Sequence, residues 1–264
     1  MKNSNFYLNK WYLDCVNASG DLLIVYTASL KWRLLPLHLV SRLSMHNGLI
    51  NQTTSMALRD QSPQGTDNKL HLHIPALKIE GSWIARMPAV SKTLLETDRG
   101  QITWHCLQPS SDAHLVKTPT GPMTGVGYAE RLEMTLAPRE LEIKELRWGR
   151  FTSVSDAVIW IQWIGADPRT FVIHNGMEMP GAEITGQEIR LGNGLGLNVT
   201  EPITLRSGQL NETVLTAFPF VRKFLPADIP RIHETKWRCR GVLKRGDLVL
   251  AQGWIIHEVV HFSS

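Results

Sequence analysis

Along most of this chain apolar and polar residues alternate with a period of two. Successive side chains of a strand point to opposite faces, so that alternation marks strands with one face buried and leaves few architectures open. In Leu22 to Leu34 the even positions are Leu22, Ile24, Tyr26, Ala28, Leu30, Trp32 and Leu34, whereas Thr27, Ser29, Lys31 and Arg33 fall on the other side. Asn17-Ala18-Ser19-Gly20-Asp21 is turn chemistry, so Trp11 to Val16 and the strand from Leu22 are expected to form a hairpin. Leu35, Leu37, Leu39 and Leu43 suggest the next strand.

Further strands are expected at Leu70 to Ile74, Gln101 to Gln108, Gly125 to Ala137, Ile143 to Phe151 and Asp156 to Ile164. The last is apolar on both sides and should lie between packed layers. Gly48 to Asn68 is polar and reads as a long loop over a cavity mouth. Short glycine-punctuated strands follow, then two long ones, Glu234 to Lys244 and Asp247 to Phe262, joined at Arg245-Gly246. Asn211 to Phe224 is the one helix candidate, limited by Pro219. The expected fold is all-β, with two packed antiparallel sandwich or barrel units, residues 1–152 and 153–264.

A chain of 264 residues can bury a large core without metal or disulfide. Its 28 lysines and arginines against 24 acidic residues form no dense basic run, which argues against nucleic acid as a partner. No stretch approaches the roughly 18 apolar residues of a membrane span, and the first residues lack the apolar core of a secretory signal. Cys15, Cys106 and Cys239 stand far apart, as small apolar residues in a reducing compartment do. The cytoplasm is the expected location.

Chemistry concentrates on Gly125 to Ala137. Its even face reads Val126, Tyr128, Glu130, Leu132, Met134 and Leu136, so one carboxylate shares an apolar face. Burial penalises the ionised form, and a protonated acid beside an apolar cavity can donate a proton to an alkene or enol. Alternatively Glu130 pairs with Arg147 or Arg150, or a bulge reverses its direction. Glu258 also points inward from an apolar face, as a ligand contact or a partner in an ion pair. His257 lies on the other side of that strand, which makes a His257–Glu258 dyad awkward.

Trp104 shares its face with Ile102 and Cys106, opposite His105, and could line a cavity and stabilise a developing cation through its ring. Trp148 and Trp160 are further pocket candidates among nine tryptophans. His71 and His73 share a face with no third ligand near in sequence, so a solvated face outweighs a metal pair. Gly192-Asn193-Gly194-Leu195-Gly196 lacks the flanking strand, helix and lysine of a phosphate loop and reads as a hairpin turn.

Lys10-Trp11-Tyr12-Leu13-Asp14-Cys15, Gly125-Val126-Gly127-Tyr128-Ala129-Glu130, Leu146-Arg147-Trp148-Gly149-Arg150-Phe151 and Ile256-His257-Glu258 together resemble the hydroxyneurosporene synthase (carotenoid hydratase) and AttH-like lipocalin superfamily. The resemblance spans nearly the whole chain. It implies a double β-domain, calycin-like fold with a hydrophobic site near the domain junction, and cofactor-free hydration or cyclisation of isoprenoids and polyenes. Tyr128 and Glu130 match the tyrosine and acid of the hydratases, with glutamate for aspartate, and Trp104 stands near an upstream site tryptophan. Arg131-Leu132-Glu133 follows the acid where the hydratases continue His-Asn-Trp-Gly, and Ile102 replaces a histidine. The function this implies is a cofactor-independent lyase or isomerase with Glu130 as acid, Tyr128 orienting it, and Trp104 and Trp148 shaping the pocket. A non-catalytic, lipocalin-like carrier of a hydrophobic small molecule is the alternative.

Overall fold

The computed structural model describes residues 6–32, 35–137, 140–209 and 232–262. The helix candidate Asn211 to Phe224 lies outside them. Over the described residues the chain is all-β and lipocalin-like, built as two curled antiparallel half-barrel sheets, and it divides into two compact units, 1–141 and 142–264.

The first sheet contains β1 (Phe6–Val16), β2 (Leu22–Trp32), β3 (Leu35–His46), β4 (Leu49–Ala57), β5 (Gln64–Thr66), β6 (Lys69–Ile74), β7 (Ile79–Ala85), β8 (Val90–Thr97), β9 (Gly100–Lys117) and β10 (Met123–Met134). Its order is β4-β3-β2-β1-β10-β9-β7-β6-β5, with β8 beside the first half of β9. The second contains β11 (Ile143–Thr152), β12 (Ala157–Gly165), β13 (Arg169–His174), β14 (Met177–Glu178), β15 (Glu183–Ile184), β16 (Glu188–Gly192), β17 (Leu195–Gln209), β18 (His233–Arg245) and β19 (Leu248–His261), in the order β14-β13-β12-β11-β19-β18-β17-β16-β15.

Turn chemistry sets the hairpins as expected. The Asn17 side chain accepts the Asp21 N–H at 2.9 Å between β1 and β2. Asn193 and Gly194 take φ of +52° and +71° between β16 and β17, which is the hairpin read from the glycine-rich run. Three expectations shift. Leu49–Ala57 is an edge strand paired to β3, not a loop; water on its open side replaces the apolar face by which strands are recognised. Ile143–Thr152 pairs with β12 and β19, so the units divide after Leu141 rather than after Thr152. In β2 both faces are buried from Leu22 to Val25.

The core of the first sheet takes the odd positions Trp11, Leu13, Cys15, Leu23, Val25 and Ala129, with Leu70, Leu72, Ile74, Trp83 and Leu115. Trp83 lies fully buried across Gly127 and donates its indole N–H to the Asp14 carbonyl at 2.7 Å. A Cβ on Gly127 would meet Trp83 at 2.7 Å, so glycine is needed under the ring. The even face of β1 and β10 is therefore not this core, although Tyr12, Asp14 and Tyr128 on it are buried too.

Candidate functional site

Two side-chain groups stand out, one in each unit. In the first, Tyr12 lies opposite Glu130 and Asp14 opposite Tyr128 in the β1–β10 register. Beyond β10, Glu130 faces Cys106, and Trp104 sits one diagonal step away on β9. Two register shifts, opposite Ala129 and Glu130, give β9 two extra residues around Leu107 to Ser110 and restore its alternation beyond them. Pro109 falls there, where a missing ladder N–H is tolerated.

The Tyr128 hydroxyl donates to Glu130 Oε2 at 2.7 Å, and the Trp104 indole N–H donates to the same oxygen at 2.5 Å. An indole N–H cannot accept, so Oε2 is an acceptor and a proton on this side chain belongs on Oε1. Burial first, then the neighbouring Cys106 and Glu130, holds the Tyr128 phenol well above its ordinary range, which keeps it a donor. Burial likewise pushes the Cys106 thiol well up, despite the contact with Tyr128. Tyr12 donates to Asp14 Oδ2 at 2.8 Å, and its ring meets Tyr128 and Tyr26 edge to face at 5.9 and 5.3 Å. Two carboxylic acids and three tyrosines thus share one sheet face.

In the second unit, Trp160, Gly149, His257 and Trp237 form one cross-strand row over β12, β11, β19 and β18. Trp160, His257 and Trp237 border a cavity of about 580 Å³ inside the half-barrel, with Arg147, Ile189, Glu258 and Val259 also on its wall. His257 stacks on Trp237 with ring centres 4.8 Å apart and planes at 17°. Burial, then the nearby Lys236 charge, lowers the His257 imidazole to about 4, so it is neutral at physiological pH.

The expected site residues therefore separate by unit and by face. Glu130, Tyr128 and Trp104 converge as read, and His105 points the other way to Glu133 at 3.2 Å. Arg147 and Trp160 face the second cavity, Arg147 bonded to Glu145 at 2.5 Å. Trp148 and Glu258 share a row with buried Lys236, which pairs with Glu258 and lies 5.5 Å over the Trp148 ring. Glu258 is thus held in an ion pair, and it also borders the cavity. Arg150 is buried and donates to Thr152 Oγ1 and the Trp254 carbonyl at 2.8 and 3.2 Å. His71 and His73 are exposed, and no group of three metal-ligating side chains forms among the described residues. No helix among those residues is long and apolar enough to cross a membrane.

Sequence reasoning passed over Asp14, Tyr12, His257 and Trp237. Asp14 interrupts the even face of β1 as Glu130 interrupts that of β10, which was the available signal. His257 stood opposite Glu258, and the cavity lies on the side it faces.

No family model and no curated protein matches the sequence. Solved structures do match. A putative AttH from Nitrosomonas europaea aligns with a TM-score of 0.61 at 8% identity, covering 100% of this chain and 94% of its own. Kievitone hydratase from Nectria haematococca aligns at 0.53 and 10% identity over 98% and 89%. CghA aligns at 0.53 and 8% identity over 97% and 88%. At such identities the likeness is one of fold, and it agrees with the AttH-like architecture that the motifs implied.

Proposed function

We propose that the chain is a hydratase- or cyclase-type lyase or isomerase acting on an apolar isoprenoid or polyene, with Glu130 as its acid and base. The observation that carries this reading is the convergence of Tyr128 and Trp104 on Glu130 Oε2, which fixes the carboxyl group and assigns any proton it carries to Oε1. A hydratase stands among the fold neighbours.

Glu130 gives its Oε1 proton to an alkene carbon; the π electrons form the new C–H bond and a carbocation results. Aromatic faces such as Trp104 stabilise that cation. Water then adds and returns a proton to the carboxylate, or an internal double bond captures the cation and closes a ring before a proton is lost to Glu130. Only protons, water and a π bond move, so the reaction is written without a cofactor. Buried thiols at Cys15, Cys106 and Cys239 fit a reducing compartment, and we place the protein in the cytoplasm.

The test is turnover of the compound recovered from gently purified protein. Glu130→Gln keeps the shape and loses the acid, and is expected to lower the rate at least ~100-fold, while Tyr128→Phe lowers it less. Undiminished turnover by Glu130→Gln refutes the assignment. The carrier alternative draws on a different observation, the cavity of the second half-barrel; it predicts that the recovered compound leaves unchanged after incubation.

A further inference from the structure

The second half-barrel keeps open space beside β11, β18 and β19. Its cavity of about 580 Å³ falls within the usual range for small-molecule sites, roughly 300–1,000 Å³. Gly149 lets the Trp160 ring lie across β11 at the cavity wall: a Cβ there would lie 2.1 Å from Trp160 Cζ2 and 2.7 Å from His257 Cβ. Three rings therefore gather along one row, with the Trp160 and His257 centres 6.4 Å apart and His257 stacked on Trp237. Among the described residues the ring nitrogens of His257 have no hydrogen-bond partner. A neutral imidazole offers one acceptor and one N–H donor, and here both are left to whatever enters. The charges at the wall cancel, since Arg147 is bonded to Glu145, which also approaches His261 at 3.3 Å. Lys236 is taken up by Glu258 and Glu234. Flat apolar walls, one free imidazole and no net charge select a flat, uncharged ligand with a hydrogen-bonding group.

We propose that this cavity is a ligand site that takes one neutral, planar aromatic molecule bearing a hydroxyl, its ring against Trp160 and Trp237 and its hydroxyl donating to His257. The proposal deepens the carrier reading and does not depend on chemistry at Glu130.

Titration calorimetry with three probes tests it: 2-naphthol, 2-methoxynaphthalene and 2-naphthoate. Wild type is expected to bind one 2-naphthol and to bind the other two at least ~10-fold more weakly, a difference of about 1.4 kcal/mol. His257→Phe keeps a stacking ring but no acceptor and should abolish the preference for 2-naphthol over 2-methoxynaphthalene. His257→Gln restores an acceptor and part of that preference, which guards against a variant that fails to fold. Glu130→Gln should bind 2-naphthol as wild type does. Equal binding of 2-naphthol and 2-methoxynaphthalene overturns the proposal while leaving carriage of apolar molecules standing. No saturable binding of any probe overturns both.

Discussion

Each half-barrel closes its meander by pairing its first strand with its last, β1 with β10 and β11 with β19, and each lays a tryptophan across a glycine of that closing pair. Trp83 over Gly127 is fully buried in the apolar core of the first. Trp160 over Gly149 borders a cavity in the second, because His257, Thr235 and Arg147 occupy interior positions beside it. The first unit instead carries Asp14, Trp104, Tyr128 and Glu130 on the other face of β1, β9 and β10. The two units thus share one plan and differ in which face bears polar residues.

Removing the two interior tryptophans should separate these roles most sharply. Trp83→Ala empties a full core site and leaves the Asp14 carbonyl without its donor, at a cost of about 3–5 kcal/mol. Trp237→Ala, at the edge of existing space, should cost about 1–2 kcal/mol. Chemical denaturation of both variants checks the ordering, and equal losses would break the contrast.

A smaller effect follows from pH. His257 has a folded pKa of about 4 against 6.5 for the free side chain, so the unfolded chain binds a proton that the folded chain excludes between those values. Its contribution to stability is complete above pH 6.5 and is lost as pH falls toward 4, up to about 3 kcal/mol in all. His257→Phe should flatten the stability curve over that interval and Trp83→Ala should not. Burial sets the effect first and the Lys236 charge adds to it; Glu145, Arg147 and His261 are the other titratable groups at the cavity wall.

Much of this was legible in the order of residues. Period-two alternation gave the all-β fold, and it put Tyr128, Glu130 and Trp104 on faces that meet, because a regular register keeps even positions together across β9 and β10. Alternation fails where both faces are buried. In β2 the interior takes Leu23 and Val25 although Leu22 and Ile24 are equally apolar, and in β19 both His257 and Glu258 border the cavity although they alternate along the strand. It fails again at edges, where Asn51 to Ser55 face water and mimic a loop. The unit boundary escaped notice because β11 is claimed by β19, more than a hundred residues later, and no local signal announces such a pairing.

The central claim is that Glu130 moves a proton between solvent and a carbon of the ligand. Wild type and Glu130→Gln incubated in deuterium oxide with the compound recovered from the protein test it directly, with mass spectrometry reading carbon-bound deuterium. The account predicts one solvent deuterium per turnover in wild type and at least ~100-fold less in Glu130→Gln. Equal labelling by both proteins, or a ligand that wild type never labels, would contradict it.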